Sequence, residues 1–479
     1  MSIDEQLDWL LEGAYFADEG ELDVYKRLAA EAAMEAAAAA ADPTLSAAEA
    51  ARIASQKAAE AQHYESYGKG GGLRGQMRAE LKAKLEQSAK SGVPLRVYLG
   101  VDPTSESLHI GHMIPVMPLR KFQALGHQVI FLIGDYTATV GDPSDQTAER
   151  EQLSHEHVLD LARFYTDQAF RLLDREKTEI RHNGDWLAEL RFAELAELAS
   201  LFPLSQVIAR QDFRSRLESG AGVRLHECLY TLMQGYDAFA LNCDVQVGGY
   251  DQHFNLLSGR IIQEHFARKL KGKDHPLYAA HPAGGREVRG PHVMLTGPLL
   301  MGTDGRKMSK SWGNTIDVLA SPEDMYGRVM RISDEMIGHY IDIAVDQRQS
   351  VRDEWKAKAA ADPMGVKKWV ASQITSMYHG EDKANEAAAH FQRTVQEKTF
   401  SDEDVEEVEV PEEYKVGDRK LVYLMKALDL ISSRKEGERL ITGGGVKLNE
   451  ETVTDRFALY SHESGAVLQV SKRKVVKLV

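Results

Sequence analysis

Residues 95–133 constrain the fold more than any other stretch of the chain. A mostly apolar, strand-like stretch at 95–101 leads into Asp102-Pro103-Thr104-Ser105, helical spacing follows at 113–125, and an apolar run occupies 129–133. Short apolar runs on either side of a helix read as buried strands joined by a crossover. Alternation of this kind yields a parallel sheet wrapped by helices, an α/β Rossmann-like architecture. Residues 245–252 (Val245-Gln246-Val247-Gly248-Gly249-Tyr250-Asp251-Gln252) read as another strand ending in a glycine loop. Ligands of such sheets bind beyond the carboxyl ends of the strands, so 102–112 and 248–252 are the first places to look for a site.

A chain of 479 residues has room for two or three domains. Residues 1–94 read as helical, with an alanine-rich extension at 29–41, more alanine after Pro43, a glycine cluster at 68–72 and a charged helix at 76–90. High helix propensity accounts for the alanine without a function. The α/β part spans 95–320, and 321–400 turns mainly helical. The acidic stretch 401–416 reads as a solvated connector, because its like charges repel and it lacks periodicity. Residues 417–479 have their own apolar pattern and form a small separate α+β domain.

No apolar run is long enough to span a bilayer, and the acidic N-terminus carries no secretory pattern, so a cytoplasmic protein without a membrane partner is expected. The two cysteines, Cys228 and Cys243, form no CxxC pair and no zinc spacing, so no structural metal is expected. A formal net charge of −15 at first argues against a nucleic-acid partner. The acid is concentrated at 402–413, however, and the tail carries Lys472, Arg473, Lys474 and Lys477, so the global charge decides nothing.

Three constellations carry chemistry. In His109-Ile110-Gly111-His112 a helix start follows a strand end, which turns backbone amides and the helix dipole toward an anion. Gly111 lets a nucleotide lie against the backbone, and the two histidines can donate to phosphate oxygens. Lys307-Met308-Ser309-Lys310-Ser311 lies in a Gly-, Ser- and Asn-containing stretch that reads as a flexible loop. Its ammonium groups can approach a triphosphate and neutralise charge that grows in a transition state. Spacings of four and three put Tyr230, Gln234 and Asp237 on one helical face, a combination seldom suited to a plain core.

Together and in this order, these segments resemble the class I aminoacyl-tRNA synthetases, and in particular the bacterial tyrosyl-tRNA synthetase family, from about residue 95 to the end of the chain. The resemblance implies activation of L-tyrosine by ATP with Mg²⁺ and transfer of the tyrosyl group to tRNA(Tyr), by a homodimer. It implies that Tyr98 and Asp237 hydrogen-bond the substrate phenol. Asp142, Tyr230 and Gln234 would hold its ammonium, and Gln252 would face its carboxyl group. Gly100, Asp102, Gly111, Gly248 and Asp251 would lie along ATP, with Thr104, His109, His112, Lys307 and Lys310 at the phosphates. A buried polar pair aimed at a phenol is left unpaired by phenylalanine and so rejects it, a principle for which tyrosyl-tRNA synthetases are themselves the standard instance. The C-terminal part resembles the S4 RNA-binding domain, in which Arg434, Lys435 and Arg439 present a basic helix face suited to phosphate contacts.

Three features depart from the family pattern. Pro115 and Pro118 fall in the first turns after His112 and should tilt or delay the helix. Tyr250 replaces a small hydroxyl residue beside the ribose, and the alanine-rich extension lies outside the resemblance. Three other readings stay open on sequence alone. They are the sister tryptophanyl-type enzyme, a catalytically retired homologue that binds RNA, and an S4-containing RNA-modifying protein, which explains only the tail.

Overall fold

The computed structural model describes residues 1–12, 37, 46, 51, 55, 72–142, 155–208, 210–220, 222–270, 289–397, 406–449, 451–470 and 474–479. The expectations for the alanine-rich stretches and for 68–71 therefore lie outside the described residues. The backbone divides into two compact units, Met1–Asn385 and Glu386–Val479.

The first unit is built on strands β1 (Arg96–Val101), β2 (Gln128–Ile133), β3 (Thr178–His182), β4 (Val245–Gly249) and β5 (Val293–Gly297). They pair in the order β3-β2-β1-β4-β5, and every pairing is parallel. Val97, Tyr98, Val129 to Ile133 and Val293 to Leu295 are almost wholly buried, as expected where helices cover both faces of a sheet. The order reverses direction between β1 and β4, which opens a crevice at the carboxyl ends of those two strands.

Around the sheet lie α1 (Ile3–Leu11), α2 (Gly72–Ser91), α3 (Ile110–Met113), α4 (Val116–Ala124), α5 (Thr137–Val140), α6 (His155–Ala169), α7 (Leu225–Ala240) and α8 (His253–Lys269). Helix α2 buries Met77, Leu81 and Leu85, spaced by one turn, on one face. Each fully buried leucine contributes about 2 kcal/mol. Ser2 caps α1 by accepting the Glu5 amide, and the buried Lys121 ammonium of α4 donates to the Trp9 and Glu12 carbonyls at its other end.

The two prolines have the expected effect. Helix α3 stops at Met113, Pro115 caps α4 with φ −65°, and Pro118 sits in the first turn of α4, where no amide is needed. The Gly297 Cα at the end of β5 packs against this break, since a β-carbon there would lie 3.3 Å from Ile114 Cγ2. The expectation for Tyr250 concerns a side chain outside those described.

Helices α9 (Pro322–Val329), α10 (Ile337–Ala344), α11 (Gln349–Lys358) and α12 (Pro363–His379) follow in the same unit. Their starts carry legible signals: Ser321 accepts the Asp324 amide with Pro322 at the first helical position, and Asp362 accepts the Gly365 amide before Pro363.

The second unit corrects the connector expected at 401–416. Its residues Glu406–Val408 form β6, which pairs in parallel with β12 (Lys474–Leu478), and Val410 is buried in the core. Val408 and Val410 alternate with Glu407 and Glu409, the period of a strand with one buried face, and the density of acid hides that pattern. The unit also contains β7 (Arg419–Lys420), α13 (Leu421–Ala427), α14 (Arg434–Thr442), β8 (Val446–Leu448), β9 (Glu451–Val453), β10 (Leu459–Tyr460) and β11 (Ala466–Val470). Its core gathers Leu421, Leu424, Met425, Ile441, Tyr460 and Leu468.

Candidate active site

At the crevice beyond β1 and β4 lies a cavity of about 580 Å³. Strand β1 and the turn after it supply Tyr98, Gly100, Asp102 and Thr104 to its lining, and α3 supplies His109, Gly111 and His112. Helix α7 supplies Tyr230, Gln234 and Asp237; the loop after β4 supplies Gly248, Asp251 and Gln252; Asp142 and Lys307 complete the set. Of the candidates read from sequence in this part of the chain, Lys310 alone is not in the lining, although its charge acts on both histidines.

The deep end presents buried polar groups to the cavity. Tyr98 is 0% exposed, and its hydroxyl has no hydrogen-bond partner among the described residues. An orphaned buried hydroxyl is costly, so a ligand that satisfies it is favoured. Gln246, in register with Tyr98 on the neighbouring strand, and Gln234 each present a buried amide oxygen without a partner to the same cavity. Asp237 accepts from Trp186 Nε1 at 2.7 Å and from Asn183 Nδ2 at 3.1 Å. Burial pushes the Asp237 carboxyl well above its ordinary range, while the two N–H donors pull it back.

A second network fixes Asp102. Its carboxylate accepts from Thr137 Oγ1 at 2.7 Å and from the Tyr230 hydroxyl at 2.9 Å, and Asn183 Nδ2 also donates to Thr137 Oγ1 at 3.0 Å. Asp102 and Asp237 are thus tied through Thr137 and Asn183. Gly134 makes room for this, since a β-carbon there would fall 2.0 Å from Asp102 Oδ1. At the cavity mouth Gln252 Nε2 donates to Asp142 at 2.6 Å, and Asn255 Nδ2 donates to Gln252 Oε1 at 2.9 Å.

The histidine and lysine segments are packed together. The His109 and His112 rings stack with centroids 3.6 Å apart. Burial, followed by His112, Lys310 and Lys307, pushes His109 down to about 3; burial, then Lys310 and Lys307, pushes His112 down to about 4. Both imidazoles are therefore neutral at pH 7, and positive charge at this end comes from the lysines. His112 Nδ1 accepts the His109 amide at 3.3 Å, which leaves Nε2–H as the donor.

Met308, between the two lysines, is buried close to Gly111, and the Ile110 amide donates to the Ile316 carbonyl at 2.9 Å. Asn314 was expected to loosen the lysine loop, yet it fastens it. Its side chain accepts the Ser309 amide at 2.8 Å and donates to Asp304 at 2.7 Å and to the Lys307 carbonyl at 3.1 Å.

Sequence reasoning missed several residues of this site. Trp186, Asn183 and Thr137 follow the carboxyl ends of β3 and β2, where a sheet of this kind exposes its working residues, and that position was the available signal. Tyr165 and Gln168 on α6 brace the irregular turn 102–109. Gln168 accepts the Leu108 amide at 2.7 Å and donates to the Glu106 carbonyl at 3.1 Å, and the Tyr165 hydroxyl accepts the Thr104 amide at 3.3 Å. Nothing in the local sequence announces that pairing. In the second unit Arg434, Lys435 and Arg439 are all exposed on α14, as expected of a basic helix face.

Comparison with known proteins decides the family. Residues 90–396 match the family described as tRNA synthetases class I (W and Y). The chain belongs to that family. Within it, the chain is 37% identical over 408 residues to a tyrosine--tRNA ligase of Carboxydothermus hydrogenoformans, covering 84% of this chain and 93% of that protein. It is 39% identical over 403 residues to the corresponding ligase of Salinibacter ruber, covering 83% and 92%. These relatives make it a member of the bacterial tyrosyl-tRNA synthetases. A C-terminally truncated mitochondrial tyrosyl-tRNA synthetase of Aspergillus nidulans shares the fold, with a TM-score of 0.52 and 23% identity, over 66% of this chain and 88% of that one. Class I synthetases use ATP as a substrate.

Proposed function

We propose that this chain activates L-tyrosine with ATP and transfers the tyrosyl group to tRNA(Tyr). The observation that carries the reading is the buried pair at the deep end, an orphaned Tyr98 hydroxyl and the Asp237 carboxylate in one cavity. Tyr98 donates to the substrate phenol oxygen, and the phenol hydroxyl donates a hydrogen bond to Asp237. Trp186 and Asn183 hold Asp237 in place. Phenylalanine would leave the buried Tyr98 hydroxyl without a partner and Asp237 without the phenol donor, and tryptophan brings no hydroxyl to either.

In the first step a tyrosine carboxylate oxygen attacks the α-phosphorus in line. The bond from that phosphorus to the bridging oxygen breaks, pyrophosphate leaves, and tyrosyl-adenylate remains. No protein nucleophile is required, so catalysis is positioning plus charge stabilisation. Asp142, Tyr230 and Gln234 receive the ammonium, and Gln252 faces the carboxyl group. Gly100, Gly111, Gly248, Asp102 and Asp251 line the nucleotide. Thr104, His109 and His112 offer hydrogen bonds to the phosphates, and Lys307 and Lys310 offer charge. In the second step the terminal ribose hydroxyl of tRNA attacks the acyl carbon and AMP leaves.

Mg²⁺ supplies further charge neutralisation and fits best as a companion of the triphosphate. The cavity carboxylates Asp102, Asp142 and Asp251 are all engaged by side-chain donors, and among the described residues no cluster of three or more His, Cys, Asp or Glu forms a metal site.

The proposed enzyme is a homodimer. Phe192, Leu204, Leu217 and Leu225 are each at least half exposed, which supports apolar surface available to a second copy. A cytoplasmic setting suits tRNA charging and the two free cysteines. No described helix is long and apolar enough to cross a membrane. The arms Arg434, Lys435 and Arg439 contact tRNA phosphates. Replacing Lys307 and Lys310 together with alanine should slow tyrosine-dependent pyrophosphate exchange at least 100-fold and leave tyrosine binding within about twofold. Unchanged exchange would remove the lysines from the mechanism.

A further inference from the structure

Besides the basic face of α14, the second unit carries a set of aromatic rings that contribute little to its core. Phe457 is 52% exposed in the turn before β10, while Tyr460, three residues on, is fully buried in the core. The Arg456 guanidinium lies 4.6 Å from the Phe457 ring centroid, and the Lys420 ammonium lies 5.1 Å from it. Lys420 caps α13, and Tyr423 in the first turn of that helix is 40% exposed, with the Arg434 guanidinium 5.3 Å from its ring centroid. Arg456, Phe457 and Lys420 therefore form one cluster of cations about a ring, and Tyr423 with Arg434 forms a second that begins three residues further along the chain from Lys420.

The backbone holds this arrangement in register. Lys420 pairs with Leu459 between β7 and β10, and the Leu421 amide donates to the Ala458 carbonyl at 2.9 Å. The Phe457 amide donates to Asp455 Oδ1 at 2.9 Å, which shapes the turn presenting the ring. Nearby acid is occupied in the same way: Asp418 accepts from Ser461 Oγ, and Glu436 accepts the Ser432 amide and hydroxyl.

We propose that this array is a stacking platform for an unpaired nucleobase of the bound RNA, with Phe457 as its principal ring. The inference rests on the reading of the second unit as RNA-binding and specifies its chemistry. Every base has a face that stacks on an aromatic ring, and Lys420, Arg456 and Arg434 neutralise the phosphates on either side. A ring cannot reach the face of a base inside an A-form duplex, so the partner is a loop, bulge or junction nucleotide. The α14 arginines and lysine need only backbone phosphate and fit duplex as well as single strand. The two surfaces, which share Arg434, thus read different features of one RNA.

The test uses the full-length enzyme and tRNA(Tyr) transcript. Phe457→Leu should raise the Kd for tRNA about tenfold and leave tyrosine-dependent pyrophosphate exchange without tRNA unchanged. Phe457→Trp, which keeps a stacking face, should bind tRNA within about twofold of the parent. A blunt duplex RNA should bind the parent and Phe457→Leu equally. Lys420→Gln with Arg456→Gln should shallow the salt dependence of tRNA binding by about one to two units. Wild-type affinity in Phe457→Leu would overturn the proposal, and so would equal loss in the leucine and tryptophan variants. If the parent itself shows no exchange with tyrosine, the proposed function fails and not the platform.

Discussion

Gly111 sits where the histidine and lysine segments meet, and it has no space for a β-carbon. That atom would lie 2.9 Å from His109 Nδ1 and 3.6 Å from Met308 Sδ. Gly111→Ala should therefore displace the His109 ring and lower pyrophosphate exchange about 100-fold, the order expected for a misplacement near 1 Å. Stability should change far less, as thermal unfolding would report. The histidines also set a pH signature. His112 titrates at about 4 in the fold against 6.5 in the unfolded chain, so between those values the unfolded state binds the extra proton. The fold keeps this contribution above pH 6.5 and loses it as pH falls toward 4. His112→Asn, which cannot titrate, should lose less stability than the parent across that window in denaturant titrations. An equal loss would mean that His112 is not held neutral.

The residues with chemical side chains were legible only as segments taken together, and all of those in the α/β part but Lys310 line one cavity; the residues that hold them were not legible. Trp186 and Gln168 act through partners 51 and 60 residues away, and no local pattern encodes a contact of that range.

Among the elements, α6 has a role that its sequence conceals. It packs beside the turn 102–109, whose backbone groups find few partners of their own. Gln168→Leu would leave the Leu108 amide and the Glu106 carbonyl without their side-chain partner, a loss of about 1–2 kcal/mol. The KM for ATP in pyrophosphate exchange should rise about tenfold while the KM for tyrosine stays within twofold. A matching rise for tyrosine would point to general loosening of the sheet. The strands β1 and β2 could be read in advance from the apolar residues 97–99 and 129–133, and β4 from the glycine loop that ends it. Strand β6 could not, because its glutamates mask the alternation of Val408 and Val410, and its register depends on β12 at the far end of the unit. The break between α3 and α4 was legible for the opposite reason, since proline acts on its own local backbone.

At the scale of the molecule, one unit holds the cavity and the other presents cations and aromatic rings. Activation of the amino acid should therefore proceed without tRNA, and surface changes in the second unit should affect only transfer. The division of the chain into an α/β part and a small terminal domain was visible in its apolar patterning. The place where the backbone separates, between Asn385 and Glu386, falls inside a helical stretch with no change in composition to mark it.

The central claim is that Tyr98 and Asp237 choose tyrosine in a site that forms an adenylate. Its most direct test is pyrophosphate exchange by the parent and by Tyr98→Phe, with tyrosine, phenylalanine and tryptophan compared at equal concentration. The account predicts exchange with tyrosine alone in the parent, and in Tyr98→Phe a loss of tyrosine-over-phenylalanine discrimination of about tenfold or more. Exchange driven by tryptophan in the parent, or unchanged discrimination in Tyr98→Phe, would contradict it.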